Sequence, residues 1–244
     1  MDKLQIKLFP CLNDNYGFLI HDPVSGDTAT IDTPEAAPII AAVEETGWAL
    51  TQIWNTHHHF DHVGSNMALK EKYGVKIIGP ENDKARIPGL DIGVTDQQVF
   101  KLGAHDVHVI DTPGHTIGHI VYYVPDAKAA FVGDTIFVLG CGRLFEGTPA
   151  QMHDSLQAIC ALPEDTQLYC AHEYTLSNAA FAKTVEPDNS DLLDYIETAK
   201  ALREQGIPTV PTTVAMEKKT NPFVRAGSAA RLGEIRAAKD SFKG

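Results

Sequence analysis

The apolar residues in the first part of the chain fall in short runs rather than helical stripes. Residues 4–9, 16–21 and 28–32 are apolar or alternating, with turn residues between them. Asp22-Pro23-Val24-Ser25-Gly26-Asp27 reads as a hairpin connection, since proline presets φ and glycine tolerates positive φ. The chain therefore opens as a β-meander. From Pro34 to Glu45 the period changes: Ile39, Ile40 and Val43 share one helical face, and Gly47 follows as the stop. A strand is predicted over 51–56, then a helix from Gly64 to Tyr73 that Gly74 ends. Strands follow near 76–79, 97–101, 106–111, 120–124 and 129–132. Thr148-Pro149 reads as an N-cap with proline at the first helical position, opening a helix to about Ala161. One more strand is predicted over 167–171.

Beyond His172 the strand signals nearly vanish. Leu192, Leu193, Ile196, Ala199 and Leu202 recur at helical spacing up to Gly206, and Leu232, Ile235 and Ala238 predict a last helix. The pattern implies a large mixed α/β domain over residues 1–172 and a smaller helical domain over 173–244. A chain of 244 residues can bury both cores.

Composition then removes several classes. No run reaches the roughly 18 apolar residues of a membrane span, and the N-terminus lacks the apolar stretch of a signal peptide. A net charge of −12 argues against non-specific nucleic-acid binding, which needs surplus Lys and Arg. It leaves room for a local basic pocket that takes an acidic small molecule. The cysteines Cys11, Cys141, Cys160 and Cys170 show no C-x-x-C spacing and are read as reduced thiols of a cytoplasmic protein.

The chemistry is concentrated in Thr56-His57-His58-His59-Phe60-Asp61-His62, with His115, Asp134 and His172 further on. Imidazole and carboxylate suit zinc, manganese and ferrous iron alike. His57 and His59, at the end of an extended segment, point to one side and suit one ion; Asp61 and His62 suit another. His115, Asp134 and His172 each follow an apolar run, and strand ends can converge on one edge of a fold. The two oxygens of Asp134 can bridge two cations. A binuclear site lowers the pKa of a bridging water and polarises a carbonyl, so a metal-dependent hydrolase is the first reading. His58 is predicted to face away from its neighbours. His21, His105, His108, His119 and His153 lie outside any ligand-spaced cluster. Cys141 reads as a small buried residue, with a ligand role as the alternative.

These ligand-type residues resemble those of the metallo-β-lactamase superfamily, an αββα sandwich with metals at one edge. Asn13-Asp14-Asn15-Tyr16, Gly140 to Thr148, His172-Glu173-Tyr174-Thr175 and Asn221-Pro222-Phe223-Val224-Arg225 are similar to the glyoxalase II, or hydroxyacylglutathione hydrolase, family. The resemblance implies an α+β fold with a helical C-terminal domain. It also implies hydrolysis of S-D-lactoylglutathione to glutathione and D-lactate, the second step of methylglyoxal detoxification. His57, His59 and His115 would hold one metal, Asp61, His62 and His172 a second, with Asp134 bridging. Zinc is the expected ion, iron and manganese being the others. Asp61 and Asp134 would be the catalytic carboxylates. Glutathione would be bound by Arg143, Leu144, Phe145, Tyr174 and Arg225. Some members of the family carry Lys and Tyr at the positions of Arg143 and Phe145, and a lysine that some place just after the last arginine is absent here. The protein is expected to be a monomer. The alternatives of the same superfamily are an iron-dependent persulfide dioxygenase and a lactonase.

Overall fold

The opening meander forms as its alternation predicts. In the computed structural model, which describes residues 3–243, β1 (Gln5–Cys11), β2 (Asn15–His21) and β3 (Thr28–Ile31) pair antiparallel in sequence order. Met1, Asp2 and Gly244, the outer ends of the two expected domains and part of the N-terminal segment read above, lie outside the described residues. Contacts divide the chain into two compact units. The first holds the residues up to Asp111 with Gly118–Gly133; the second holds Thr112–Ile117 and everything from Asp134 onward.

In the first unit, α1 (Ala36–Thr46) follows the meander. It starts two residues later than the apolar pattern predicts, with Glu35 in extended geometry as its N-cap. Gly47 ends it in the left-handed conformation, where a Cβ would be strained. Next come β4 (Leu50–Trp54), a single turn α2 (Phe60–Val63), α3 (Asn66–Tyr73), β5 (Lys76–Pro80) and β6 (Ile92–Val94). Strands β3 to β6 run parallel, so one mixed six-stranded sheet results. β7 (Val99–Leu102), β8 (His105–Asp111), β9 (Ile120–Val124) and β10 (Ala129–Gly133) pair antiparallel in sequence order.

Two apolar layers hold this unit together. On one face of the mixed sheet, Ile39 and Val43 of α1 and Leu69 of α3 pack with Phe9, Leu19, Ile53 and Ile77. On the other, Phe18 meets Phe131 at 5.9 Å, and Trp54 meets Phe100 at 5.2 Å and Tyr122 at 5.5 Å. The Tyr122 hydroxyl donates to the Asn55 carbonyl at 2.7 Å, so this buried polar atom is satisfied just ahead of the histidine run.

The second unit begins with the hairpin β11 (Ile136–Phe137) and β12 (Gly140–Cys141). In α4 (Pro149–Cys160), Thr148 and Gln151 form a reciprocal capping box around Pro149. β13 (Gln167–Cys170) pairs with β14 (Thr212–Thr213); between them lie α5 (Thr175–Val185) and α6 (Ser190–Glu204). α7 (Val214–Thr220) and α8 (Ala229–Ser241) complete the unit. All four cysteines are buried and free, Cys141 among them. Among the described residues, no helix is long and apolar enough to cross a membrane.

Candidate metal and substrate site

The histidine run does not continue the strand that leads to it. β4 ends at Trp54, and Asp61 and His62 already belong to α2. The predicted side-by-side placement of His57 and His59 nonetheless holds, because the loop turns both imidazoles to one place. His57 Nε2 lies 3.1 Å from His59 Nδ1, and the His57 and His62 rings are 4.0 Å apart. Asp61 Oδ2 lies 3.4 Å from His62 Nε2. Ligand-type atoms of His57 and His59, and of Asp61 and His62, come within 4.8 Å of one another.

His57, Asp61 and His62 are also gripped from behind. Asp32 accepts the Thr56 amide at 2.8 Å, the Thr56 hydroxyl at 2.8 Å and His62 Nδ1 at 2.8 Å. With its Nδ1 so occupied, His62 turns Nε2 toward Asp61. The Thr56 hydroxyl is in turn 3.1 Å from His57 Nδ1. Asn15 donates to Asp61 Oδ2 at 3.1 Å, so the Asn13-to-Tyr16 segment supplies a partner to a site carboxylate. His58 faces away from the cluster, as predicted. Its Nδ1 is 3.0 Å from Asp83, and Arg86 reaches its Nε2 at 3.1 Å. His119 is fully buried and stacks on His57 at 4.8 Å, contrary to its place outside the cluster in the linear pattern.

The second unit brings its own members together. Asp134 Oδ2 lies 3.4 Å from His115 Nε2, and its Oδ1 lies 3.4 Å from His172 Nε2. His115 Nδ1 faces the Arg143 carbonyl at 2.8 Å, which makes Nδ1 the donor and leaves Nε2 as the lone-pair nitrogen. Gly142 makes this approach possible, since a Cβ there would run into the Asp134 carbonyl and the His115 ring. Tyr174 stacks flat on His172 at 4.8 Å, and Phe137 sets its edge against both rings. Phe145, 60% exposed, stands 5.3 Å from His115, with the Arg143 guanidinium over its ring at 5.8 Å. Leu144 is half-buried between them in sequence. Arg143 Nε also reaches Asp240 at 3.3 Å. Arg225 sits apart from these aromatics in its bonding: its Nε donates to both oxygens of Glu186, at 2.9 and 3.1 Å.

Donor type, burial and tautomer therefore fit divalent metal ions. Burial lifts the Cys141 thiol to about 11, against the pull of Arg236, and Cys141 is not among the ligand-spaced groups of the described residues.

The family model for the metallo-beta-lactamase superfamily matches residues 19–172, and that for the hydroxyacylglutathione hydrolase C-terminus matches residues 173–242. Curated hydroxyacylglutathione hydrolases from Maricaulis maris and Brucella ovis are each 54% identical to the chain. The alignments cover 99% and 98% of it, and 100% and 99% of the relatives. The chain belongs to the hydroxyacylglutathione hydrolase family. Its metallo-β-lactamase fold is shared with ETHE1 from Myxococcus xanthus at a TM-score of 0.76 and 24% identity, over 98% of this chain and 92% of that one. Members of this superfamily bind divalent metals, and all seven ligand-type residues fall within the matched residues 19–172.

Proposed function

We propose that the chain hydrolyses 2-hydroxyacylglutathione thioesters, S-D-lactoylglutathione foremost, to glutathione and the free hydroxy acid. One observation carries this reading: ligand-type histidines pack directly against the segments proposed to bind substrate. The Arg143 carbonyl orients His115 while its guanidinium lies over Phe145, and Tyr174 stacks on His172. Full-length relatives named hydroxyacylglutathione hydrolase support it, and favour it over a persulfide dioxygenase or a lactonase.

His57, His59 and His115 would hold one ion and Asp61, His62 and His172 another, with Asp134 serving both. Zinc is the proposed ion at each position, and iron and manganese satisfy the same donors. Bound there, such ions supply a water of lowered pKa and polarise the thioester carbonyl. Asp61, steadied by Asn15, orients the attacking water through its remaining lone pairs. Asp134 turns one oxygen toward His115 and the other toward His172, as a ligand shared by both ions would. The leaving thiol has a pKa near 8.5, so its departure as thiolate needs little help from a general acid. Arg143, with Leu144, Phe145 and Tyr174, takes the glutathione moiety. Arg225 supplies a second positive charge once a substrate carboxylate draws it from Glu186.

We assign residues 173–244 to substrate binding, and place the protein in the cytoplasm as a monomer with no nucleic-acid partner. The free buried thiols and the net charge of −12 support that placement. The test is loss of thioester absorbance on S-D-lactoylglutathione with protein of measured metal content. Metal-loaded protein without turnover would overturn the reading.

A further inference from the structure

Helix α7 carries a carboxyl group where its amphipathic face should be apolar. Glu217 is fully buried with Val214 and Thr220. Its Oε1 accepts the Thr212 hydroxyl at 2.7 Å, and its Oε2 accepts the Leu139 amide at 3.0 Å and Asn221 Nδ2 at 2.9 Å. All three donors are neutral. Around them lie Cys160 of α4, Cys170 of β13 and Tyr195 of α6, each kept protonated by burial. Of the nearby charges, Lys218 turns to Glu164, and Glu173 is taken by Thr209 and Arg203.

What this carboxyl group grips is the hairpin in front of the site. Asn221 Nδ2 also donates to the carbonyls of Phe137 at 3.2 Å and Gly140 at 2.9 Å. Leu139 sits at φ +59, a backbone conformation that a leucine rarely adopts, and its amide is held by Glu217. From the far side, Asn178 donates to the Val138 carbonyl at 3.0 Å. The hairpin is thus suspended by side chains along its turn, and its Phe137 ring touches Tyr174 and His172.

We propose that Glu217 is a positioning residue for substrate binding, which acts through Asn221 and the Leu139 amide to fix the β11–β12 hairpin so that Phe137 seats Tyr174 on His172. The proposal rests on Tyr174 being part of the glutathione site. Ionised carboxylates accept hydrogen bonds about twice as strongly as neutral groups, so the grip is firmest when Glu217 is charged. Burial pushes its carboxyl up to about 7, so the grip slackens as pH falls below neutrality. Charging a buried acid without a cation is unfavourable, and the fold retains the group because the hairpin needs it.

Glu217→Gln tests this at constant shape. The glutamine oxygen can take the Leu139 and Asn221 donors, while its amide faces the Thr212 hydroxyl, which is able to accept. At pH 8 the variant should melt higher than wild type. Its KM for S-D-lactoylglutathione and its Kd for glutathione should both rise by about fivefold, with kcat and metal content changing far less, the mark of lost uniform binding. Wild-type KM should rise from pH 8 to pH 6, and that of the variant should not. Asn221→Ser should raise KM likewise. A purely structural Glu217 would raise the melting temperature and leave KM and Kd untouched, and that result overturns the proposal. Hydrogen exchange at the Leu139 amide decides the clamp without any turnover. With rates divided by the intrinsic exchange rate at each pH, lower protection in Glu217→Gln, and in wild type below pH 7, supports it; equal protection sinks it. Absence of thioester turnover by wild type would instead overturn the proposed function alone.

Discussion

Asp32 shows how much of the site depends on residues that touch no substrate. It lies at φ +56, a region Asp visits more readily than most residues, and from there it receives three hydrogen bonds from Thr56 and His62. Asp32→Asn replaces one acceptor oxygen with a donor, against the Thr56 amide or His62 Nδ1. Metal affinity should fall about tenfold to a hundredfold, as when other partners that orient metal ligands are removed. Titration of the apo-protein with zinc would measure it, and wild-type affinity would refute the role. Arg225 poses a different question, since Glu186 already neutralises it. If it turns to a substrate carboxylate, Arg225→Ala should raise KM about tenfold, while Glu186→Gln should lower it. Steady-state kinetics of the two variants would show opposite signs. A KM unchanged in both would remove Arg225 from the site.

At the scale of elements, the legible parts of the chain were those where one local rule suffices. The H-x-H-x-D-H spacing, the Thr148-Pro149 cap and the stops at Gly47 and Gly74 act within a few residues, and the structure contains each of them. The β11–β12 hairpin, α5 and α7 escaped the pattern for a physical reason: their buried faces carry polar groups. Asn178 of α5 and Glu217 of α7 point inward to bond the hairpin, so the apolar period that marks an amphipathic helix is broken where it should be strongest. His119 and Asp32 escaped because their partners are distant in sequence. The loop that follows the hairpin also tolerates no bulk. Gly142→Val should push the side chain into His115 and the Asp134 carbonyl. It should lower bound metal as well as thermal stability, which elemental analysis and melting curves would separate from simple misfolding.

For the whole molecule, Glu217 sets a pH dependence of stability. Its folded value of about 7 lies above the ordinary 4.5, so folding is favoured by the protonated form. That contribution is complete below pH 4.5 and is lost as pH rises through 7, on the order of 3 kcal/mol in all. Denaturant midpoints between pH 5 and 8 should fall in wild type, and should fall less in Glu217→Gln. Metal removal lowers stability at any pH where the histidine ligands are neutral and can bind the ions. Ions that bind only the folded chain at about a thousand times their Kd add roughly 4 kcal/mol, so a chelator should lower the melting point by about 10 °C.

The burial of the four cysteines has a chemical consequence. Cys11 and Cys170 are pushed to about 12, and Cys141 and Cys160 to about 11, by loss of solvation. At neutral pH only about one thiol in ten thousand or fewer would be ionised at such values, and the thiolate is the attacking form. A protein that binds activated acyl thioesters and releases a free thiol is thereby shielded from capturing the acyl group itself, or from forming mixed disulfides with its own product. Its internal sulfur is inert toward the sulfur chemistry it carries out.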